Sequence, residues 1–500
     1  LKLKELISID EYSHKNVINE EAEITGIALD SRRVRPGFIF FAFTGTNTDG
    51  HQFIEKAIEN GAIAVVFTNP HFIFPQQYEV SWVYVPDGRK VLAQAADRFY
   101  QHPSLQMKII GVTGTNGKTT TCFFLRNIFE ENGTACGLMT TPKNIIGPDI
   151  FEALNTTEES LQIHALLRDM LDKGIQQAVL EVSSHGLALG RVNEILFDTA
   201  VVTNVVAEHL EFHKSFDNYF LCKRKLIERV EENHQKRFPR LIVINGDDEN
   251  CRRLVARSGI PVLTYGLKPE NDITAENIEY SLRKTSFRLK TPWGNIDVDI
   301  ALPGQYNVYN ALAAATPALY HGISKEMVAQ ALVTTHHVPG RWEVVDSGQD
   351  FTVIVDFAHN WHGLENTLSF LKRIVPGKVI TVFGCGGERD RNKRPLMGET
   401  VARWSDVCIV TSDNPRNEDP LQTAQDAMEG IRRCGNSHNI QACIILDRRE
   451  AIRKAFSDAQ PGDVVFLAGK GPERYQVYHD KTIHHNDYDV ALEILRERFS

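Results

Sequence analysis

The chain lacks any Cys-x-x-Cys pair, any apolar run of roughly 18 residues, any block of basic residues, any internal repeat and any low-complexity tract. Each absence excludes a class. The 8 cysteines are scattered over 500 residues, so neither a disulfide framework nor a zinc site is expected, and reduced, buried thiols are. No membrane span can be assigned, and the opening residues, with Lys2, Lys4, Glu5, Asp10 and Glu11, hold no apolar stretch long enough for a signal peptide. A cytoplasmic protein with no membrane partner is the expectation. The net charge of −9 is spread along the chain, which leaves no electrostatic footprint for a nucleic-acid partner.

What is present points to phosphate chemistry. Gly111-Val-Thr-Gly-Thr-Asn-Gly-Lys-Thr119 follows the apolar run 107–112 and precedes a helix-like stretch, 120–131, so it reads as strand, glycine-rich turn and helix start. Glycines let backbone amides face phosphate oxygens, the helix N-terminus adds partial positive charge, Lys118 adds a full one, and the Thr119 hydroxyl suits magnesium. The spacing is tighter than in the common phosphate loop, because Gly114 opens a Gly-Thr-Asn-Gly-Lys-Thr turn.

A prior of roughly 100–200 residues per domain predicts about three domains, and the rhythm of the chain agrees. Residues 1–104 mix the apolar runs 38–43, 62–67 and 82–85 with one helical pattern, 53–60, and read as a small α/β unit. Residues 105–336 alternate strand-like runs, 178–181, 199–203 and 241–245, with helical stretches, which predicts a mainly parallel sheet with ligands beyond its carboxyl ends. Three further segments, 273–280, 286–290 and 296–300, predict an antiparallel addition, followed by a helix over 306–320. Residues 337–500 predict a Rossmann-like sheet whose strands 352–355, 379–383, 407–410, 442–446 and 464–467 each end in a polar or glycine motif on one rim.

Several residues carry two readings each. Glu181 at a strand end fits a magnesium ligand or the cap of a neighbouring helix. His209-Leu-Glu-Phe-His213 has helical spacing but is not a His-Glu-x-x-His zinc motif, and a structural histidine pair is the simpler reading. Lys223, beside Arg224 and Lys225, fits a solvated basic helix face. Asp413-Asn-Pro-Arg416 makes an acceptable turn, yet its arginine also suits a carboxylate bound through two parallel hydrogen bonds.

Taken in order, Gly114-Thr-Asn-Gly-Lys-Thr119, Asn155-Thr-Thr157, Glu181-Val-Ser-Ser-His-Gly186, Thr203-Asn204, His209 to His213 and Tyr219-Phe-Leu-Cys-Lys223 resemble the pattern of the Mur ligases. Asp30-Ser-Arg-Arg-Val-Arg-Pro-Gly37 and Asp49-Gly-His-Gln-Phe53 resemble the branch that attaches the third amino acid to UDP-N-acetylmuramoyl-L-Ala-D-Glu. The run 413–420 is similar to the diaminopimelate-adding members, and Gly340-Arg341, Asp356-Phe-Ala-His359, Gly384 to Asp390, Lys393-Arg-Pro395 and Gly469-Lys-Gly471 extend the likeness.

The resemblance implies an ATP- and magnesium-dependent ligase working through an acyl phosphate in peptidoglycan precursor synthesis, with small-molecule substrates and a monomeric state. By position it implies Lys118, Glu181, His209 and Lys223 as catalytic, with Thr119, Glu181, His209 and a carbamylated Lys223 at the metal. It places Gly114, Thr115, Asn116, Gly117, Lys118, Thr119, Thr120, Asn307, Asn310, Arg341 and Asp356 at ATP, although Asn307 and Asn310 also suit a helix start. Leu29, Ser31, Thr46, Asn47, Thr48, Asn155, Thr156, Thr157, Ser183 and Arg191 fall at the UDP-linked substrate. Arg394, Asp413, Asn414, Pro415, Arg416, Gly469 and Glu473 fall at the incoming amino acid, where Arg416 suits the distal carboxylate of meso-diaminopimelate and would repel the ammonium of lysine.

The chain departs from the family pattern at Glu158, Glu208, Glu211, Phe357, Asn360-Trp-His362 and Pro472. Trp361 and Pro472 change volume and remove a donor near the expected amino-acid pocket. A diverged paralogue with another amino acid or acceptor, and a nucleotide-binding scaffold without catalysis, are the alternatives these departures leave open.

Overall fold

The strand Phe38–Ala42 is apolar throughout and buried from Ile39 onward, as a parallel strand covered on both faces must be. Ile39 and Phe41 enter one core with Leu6, Val66 and Leu92, whereas Phe40 and Ala42 enter another with Ile54, Val65 and Phe67, the twofold alternation of a strand. The computed structural model describes residues 1–45, 48–75, 77–256, 258–435 and 440–499. By contacts the chain divides into two units, one of Leu1–Gly111, Ala135–Ala200 and Lys225–Arg240, the other of Val112–Thr134, Val201–Arg224 and Leu241–Ser500.

In the first unit, a five-stranded sheet has the spatial order Lys15–Asn16, Ser81–Tyr84, Ala62–Phe67, Phe38–Ala42, Gly26–Ala28, and only the edge strand Lys15–Asn16 runs antiparallel. Over residues 1–104 the periodicity predicts one helix, Ile54–Glu59 in the structure, but the short helix Leu3–Leu6 and the longer Gly88–Phe99 are there as well. The buried stripe of Gly88–Phe99, with Val91, Leu92, Ala93, Ala95 and Ala96, is interleaved with polar residues at helical spacing, so the helix is amphipathic, and its start is fixed by Asp87 accepting from the Lys90 amide. The same unit holds Gln177–Glu181 parallel to Gly137–Met139, which leads into an antiparallel meander through Lys143–Ile146 and Asp149–Glu152. Sequence patterning did not predict that meander, whose last strand is exposed along its whole length.

The second unit opens on the carboxyl end of Lys108–Thr113 and the helix Lys118–Glu131. This helix packs on Gln305–Tyr320 and Lys325–Thr334. The strands Leu241–Asn245, Val262–Gly266 and Ile273–Tyr280 are parallel; Ile273–Tyr280, Thr285–Lys290 and Ile296–Ile300 pair antiparallel in succession, as predicted for this addition, but its first strand also continues the parallel sheet beside Val262–Gly266.

A six-stranded sheet closes the unit in the order Glu343–Val345, Thr352–Asp356, Val464–Ala468, Val379–Cys385, Val407–Ser412, Gln441–Ile444. All of its pairs are parallel except the edge strand Glu343–Val345. Parallel register brings Asp356 level with Ala468, and Cys385 level with Ser412, so the polar motifs after these strands share one rim, where α/β sheets place ligands. Among the described residues no helix is long and apolar enough to cross a membrane.

Candidate active site

The turn between Thr113 and Lys118 is built by two glycines that no other residue could replace without movement. Gly114 has φ +146° and a β-carbon on it would lie 1.9 Å from Thr203 Oγ1; Gly117 has φ +87° and a β-carbon there would lie 2.2 Å from Asn310 Oδ1. Backbone therefore sits directly on the side chains that hold it. The Thr115 amide donates to Asn204 O at 2.9 Å and the Asn116 amide to Asn204 Oδ1 at 2.9 Å. Thr203 Oγ1 and Asn204 Nδ2 both donate to Asn116 O, at 2.6 and 3.0 Å. Asn204 is thus the template of the turn; its position directly after the strand-like run 199–203 is the sequence signal that marks it.

The cations around the turn are held by backbone and by one another's neighbours. Lys118, the first residue of its helix, donates from Nζ to Thr115 O at 3.0 Å. Lys223 is buried, donates from Nζ to Gly114 O at 2.7 Å and lies 4.6 Å from the Tyr219 ring centre. Burial, and then the like charge of Lys118, push the Lys223 ammonium well below its ordinary pKa. It is not the solvated basic face that its neighbours suggested.

Thr119 and Thr120 are buried, and Arg341 donates from Nη2 to Thr119 Oγ1 at 3.2 Å with its guanidinium 4.5 Å from the Phe357 ring centre. Asn116 Nδ2 is buried without a partner among the described residues. Asn307 donates to Pro303 O and receives from Asn310 Nδ2 at 3.0 Å, so this pair locks the helix start and presses Asn310 Oδ1 against Gly117. Asp356 accepts from the Trp342 and Ala358 amides, each at 2.8 Å; burial raises its carboxyl, and Arg341 works against that rise.

In the first unit Glu181 ends its strand buried, with Oε2 accepting from Thr140 Oγ1 and, at 3.4 Å, from the Thr141 amide. Ser183, not Glu181, caps the following helix by accepting from the Gly186 amide at 3.0 Å. Thr157 Oγ1 reaches Glu181 O and Ser183 Oγ, Thr156 Oγ1 accepts from Thr141 Oγ1, and Arg191 Nη1 donates to Thr157 O at 2.9 Å. Asn155 lies at the start of that group, half-buried. Ser31 is buried and its carbonyl accepts from Asn60 Nδ2, Leu29 packs on the core, and Thr48 is exposed. Thr46 and Asn47 lie outside the described residues.

His209 and His213 have separate environments. His209 takes a left-handed backbone with φ +55° and lies 3.5 Å from Glu211, whose carboxyl its hydrogen bond draws down to about 2. His213 is buried edge-on against Tyr219. The acid substitutions keep their partners as well, since Glu208 receives Lys393 Nζ.

On the rim of the C-terminal sheet, Lys470 is wholly buried and donates to Glu473 Oε2 at 2.6 Å, Asn414 Oδ1 at 3.3 Å and Tyr475 O at 2.7 Å, with Asp413 at 3.8 Å. Asn414 Nδ2 in turn donates to Glu473 Oε2 at 2.8 Å. Arg416 has φ +53° and donates from Nη1 to Gly387 O at 2.6 Å. Gly387 fits beneath Pro415, whose carbonyl a β-carbon would meet at 1.9 Å, and a β-carbon on Gly469 would meet Asp413 Oδ2 at 3.1 Å. Arg394 donates to Asp426 and Glu418, each at 2.9 Å, and its Nε is buried without a partner among the described residues.

The departures from the family pattern cluster. A β-carbon on Gly340 would lie 2.0 Å from Pro472 Cδ, and one on Gly471 would lie 2.6 Å from Phe357 Cβ, so Pro472 and Phe357 flank the same short segment that carries Arg341. Asn360 caps the helix Trp361–Ile374 by accepting from the Gly363 amide at 2.8 Å. Among the described residues, no group of three or more His, Cys, Asp or Glu is placed to hold a metal.

Parallel sheets with ligand motifs at their carboxyl ends, and a glycine turn opening a helix beside two lysines, define a nucleotide-type α/β enzyme scaffold. Three family models match in sequence order: the Mur ligase family catalytic domain over 23–100, the Mur ligase middle domain over 112–318 and the Mur ligase glutamate ligase domain over 340–471. A UDP-N-acetylmuramoyl-L-alanyl-D-glutamate–2,6-diaminopimelate ligase of Solibacter usitatus is 42% identical over 476 residues, 95% of this chain and 94% of that one. A solved structure of a ligase of the same name is 31% identical with TM-score 0.67, covering 100% of this chain and 99% of that one. The MurF ligase of Thermotoga maritima, solved in complex with ADP, shares the fold at 21% identity and TM-score 0.66, over 95% and 99% of the two chains. The chain belongs to the Mur ligase family and has its three-domain α/β architecture.

Proposed function

We propose that the chain is the ATP-dependent ligase that joins meso-2,6-diaminopimelate to UDP-N-acetylmuramoyl-L-Ala-D-Glu in cytoplasmic peptidoglycan precursor synthesis, acting as a monomer with domains over 1–104, 105–336 and 337–500. The observation that carries this reading is identity above 40% along nearly the whole chain to a relative named for that reaction, with the nucleotide turn and the Asp413 to Arg416 rim both intact.

The chemistry follows from the charges. The γ-phosphoryl group of ATP passes to an oxygen of the substrate carboxylate, and ADP leaves. The neutral amine of the incoming amino acid then attacks the acyl carbon, the carbon–oxygen bond to phosphate breaks, and the nitrogen sheds a proton as the amide forms. Because ATP and the carboxylate are both anionic, the phosphoryl transfer needs positioning and charge neutralisation above all. Lys118 and the amides of residues 114–119 supply that at the transferred phosphate. Arg341 and Asn116 serve the nucleotide side, with Asn307, Asn310, Thr120 and Asp356 as its support.

In the second unit Thr119, His209 and a carbamate on Lys223 would offer ligands to magnesium, and in the first unit the buried Glu181 offers the hard oxygen donor that ion prefers. Magnesium, when bound, would supply positive charge that offsets the anionic reactants. A Lys223 held below its ordinary pKa carries the lone pair needed to add carbon dioxide, and the product is an anionic oxygen ligand in place of a cation.

At the amino-acid end Arg416 takes the distal carboxylate, while Asp413 and Glu473 take ammonium groups. Leu29, Ser31, Thr46, Asn47, Thr48, Asn155, Thr156, Thr157, Ser183 and Arg191 receive the UDP-linked substrate. Phosphate release with the UDP-dipeptide and diaminopimelate, lysine, ornithine or no amino acid tests the reading. Release with diaminopimelate well above the others supports it; no release with any of them overturns it.

A further inference from the structure

Glu159 is the residue before the helix Ser160–Asp172, yet its side chain does not cap that helix. It joins two arginines instead. Arg89 donates from Nη1 to Glu159 Oε2 at 2.9 Å, and Arg191 Nη2 lies 2.9 Å from Glu159 Oε1. All three side chains are mostly buried, at 23%, 22% and 15% exposure for Arg89, Glu159 and Arg191. Two guanidinium groups share one carboxylate, so the cluster carries a net positive charge, in a setting where charge is poorly screened.

Each arginine also touches one end of the proposed UDP-substrate surface. Arg191 donates from Nη1 to Thr157 O at 2.9 Å, and so holds the Asn155-Thr156-Thr157 segment. The Arg89 guanidinium lies 5.0 Å from the Phe43 ring centre, and Phe43 packs against the same core as Leu29. The ring is tightly placed, because a β-carbon on Gly88 would lie 3.1 Å from Phe43 Cδ1. Among the described residues Arg89 commits only Nη1 to a hydrogen bond, which leaves Nε and Nη2 as donors for an anion.

We propose that Arg89 is a further binding residue for an anionic group of the UDP-linked substrate, and that Glu159 is the positioning residue that sets Arg89 and Arg191 as a pair. The inference rests on the reading of Arg191 and Thr157 as substrate contacts. A planar guanidinium pair fixed by one carboxylate suits either a pyrophosphate or a carboxylate, and both belong to this substrate. Arg89 falls outside the glycine-rich and Asn-Thr-Thr motifs, which is why sequence pattern does not single it out.

Steady-state kinetics of the full chain test it, with Arg89→Gln, Glu159→Gln and Glu159→Asp. The expected result is a rise in KM for the UDP-dipeptide of about ten- to a hundredfold, the range for hydrogen bonds to charged groups, in Arg89→Gln and Glu159→Gln. KM for ATP and for the amino acid stays within about twofold, and Glu159→Asp recovers part of the loss. Repeating the assay with a UDP-dipeptide whose D-glutamyl α-carboxylate is amidated separates the sources: the Arg89→Gln effect disappears if the carboxylate is the partner and persists if the pyrophosphate is. An unchanged KM for the UDP-dipeptide in Arg89→Gln overturns the inference, as does a loss spread equally over all three substrates together with a lowered melting temperature. Lack of turnover by the unmodified chain is a different failure, that of the functional reading itself.

Discussion

Lys223 Nζ donates to the carbonyl oxygen of Gly114, the glycine that opens the nucleotide turn, at 2.7 Å across more than a hundred residues of sequence. On the proposed reading this buried amine, held below its ordinary pKa by burial and by Lys118, is the one that adds carbon dioxide. Lys223→Met is expected to lower kcat by about 10²–10³, the range for loss of one preorganised electrostatic group. Carbon-13 NMR of the protein in labelled bicarbonate is expected to show one carbamate signal that Lys223→Met removes. A full-activity methionine variant would sink the assignment.

Gly114→Ala and Gly117→Ala should each raise KM for ATP strongly, with Gly114→Ala the worse. Its β-carbon would fall 1.9 Å from Thr203 Oγ1, against 2.2 Å from Asn310 Oδ1 for Gly117, and both glycines have positive φ. Nucleotide titration by calorimetry checks this, and Asn310→Ala, which vacates the space beside residue 117, should restore part of the loss only in Gly117→Ala.

Arg416→Ala should raise KM for diaminopimelate by about ten- to a hundredfold while KM for ATP stays near its starting value. Its guanidinium is fixed through Gly387 O at 2.6 Å, so it is aimed before substrate arrives. Arg416→Lys should not rescue, because an ammonium cannot make the paired bonds of a planar fork. Equal KM values in the parent and Arg416→Ala would refute the assignment.

A buried pair beneath the same rim controls acid stability. Arg448 donates to both carboxylate oxygens of Asp487, at 2.7 and 2.6 Å, and to Ala468 O at 2.8 Å. Burial alone would raise the Asp487 carboxyl, but Arg448 and His485 hold it well below the usual carboxylate range. A depressed folded pKa means the stabilisation is complete above the unfolded value of about 3.9 and is lost as pH falls through the folded value. Melting temperature should therefore decline steeply with pH below about 4. Asp487→Asn should flatten that dependence while costing about 3–5 kcal/mol at neutral pH, because it strands the Arg448 charge. Exchanging both for apolar residues, Arg448→Met with Asp487→Leu, should cost much less than Asp487→Asn alone.

Local pattern was enough for what is local. The Gly114 to Thr119 turn, the strands Ala62–Phe67, Leu241–Asn245 and Ile273–Tyr280 and the antiparallel addition were all legible, because each depends on periodicity or on glycine within a short window. The helix Gly88–Phe99, though amphipathic, and the meander from Gly137 to Glu152 were not predicted; the meander's strands, of 3 or 4 residues each, are too short for a twofold alternation to show.

By itself the sequence determined the α/β class, the nucleotide turn and the order of the family motifs, because spacing along the chain specifies a turn whatever surrounds it. Only the tertiary structure decided that Lys223 is buried and its pKa depressed, that Asn204 templates the turn, that Arg394 donates to Glu418 and Asp426, and that Arg89 and Arg191 meet at Glu159. Those facts depend on which distant side chains share a low-dielectric space, and desolvation and pairing are properties of that space rather than of any stretch of sequence.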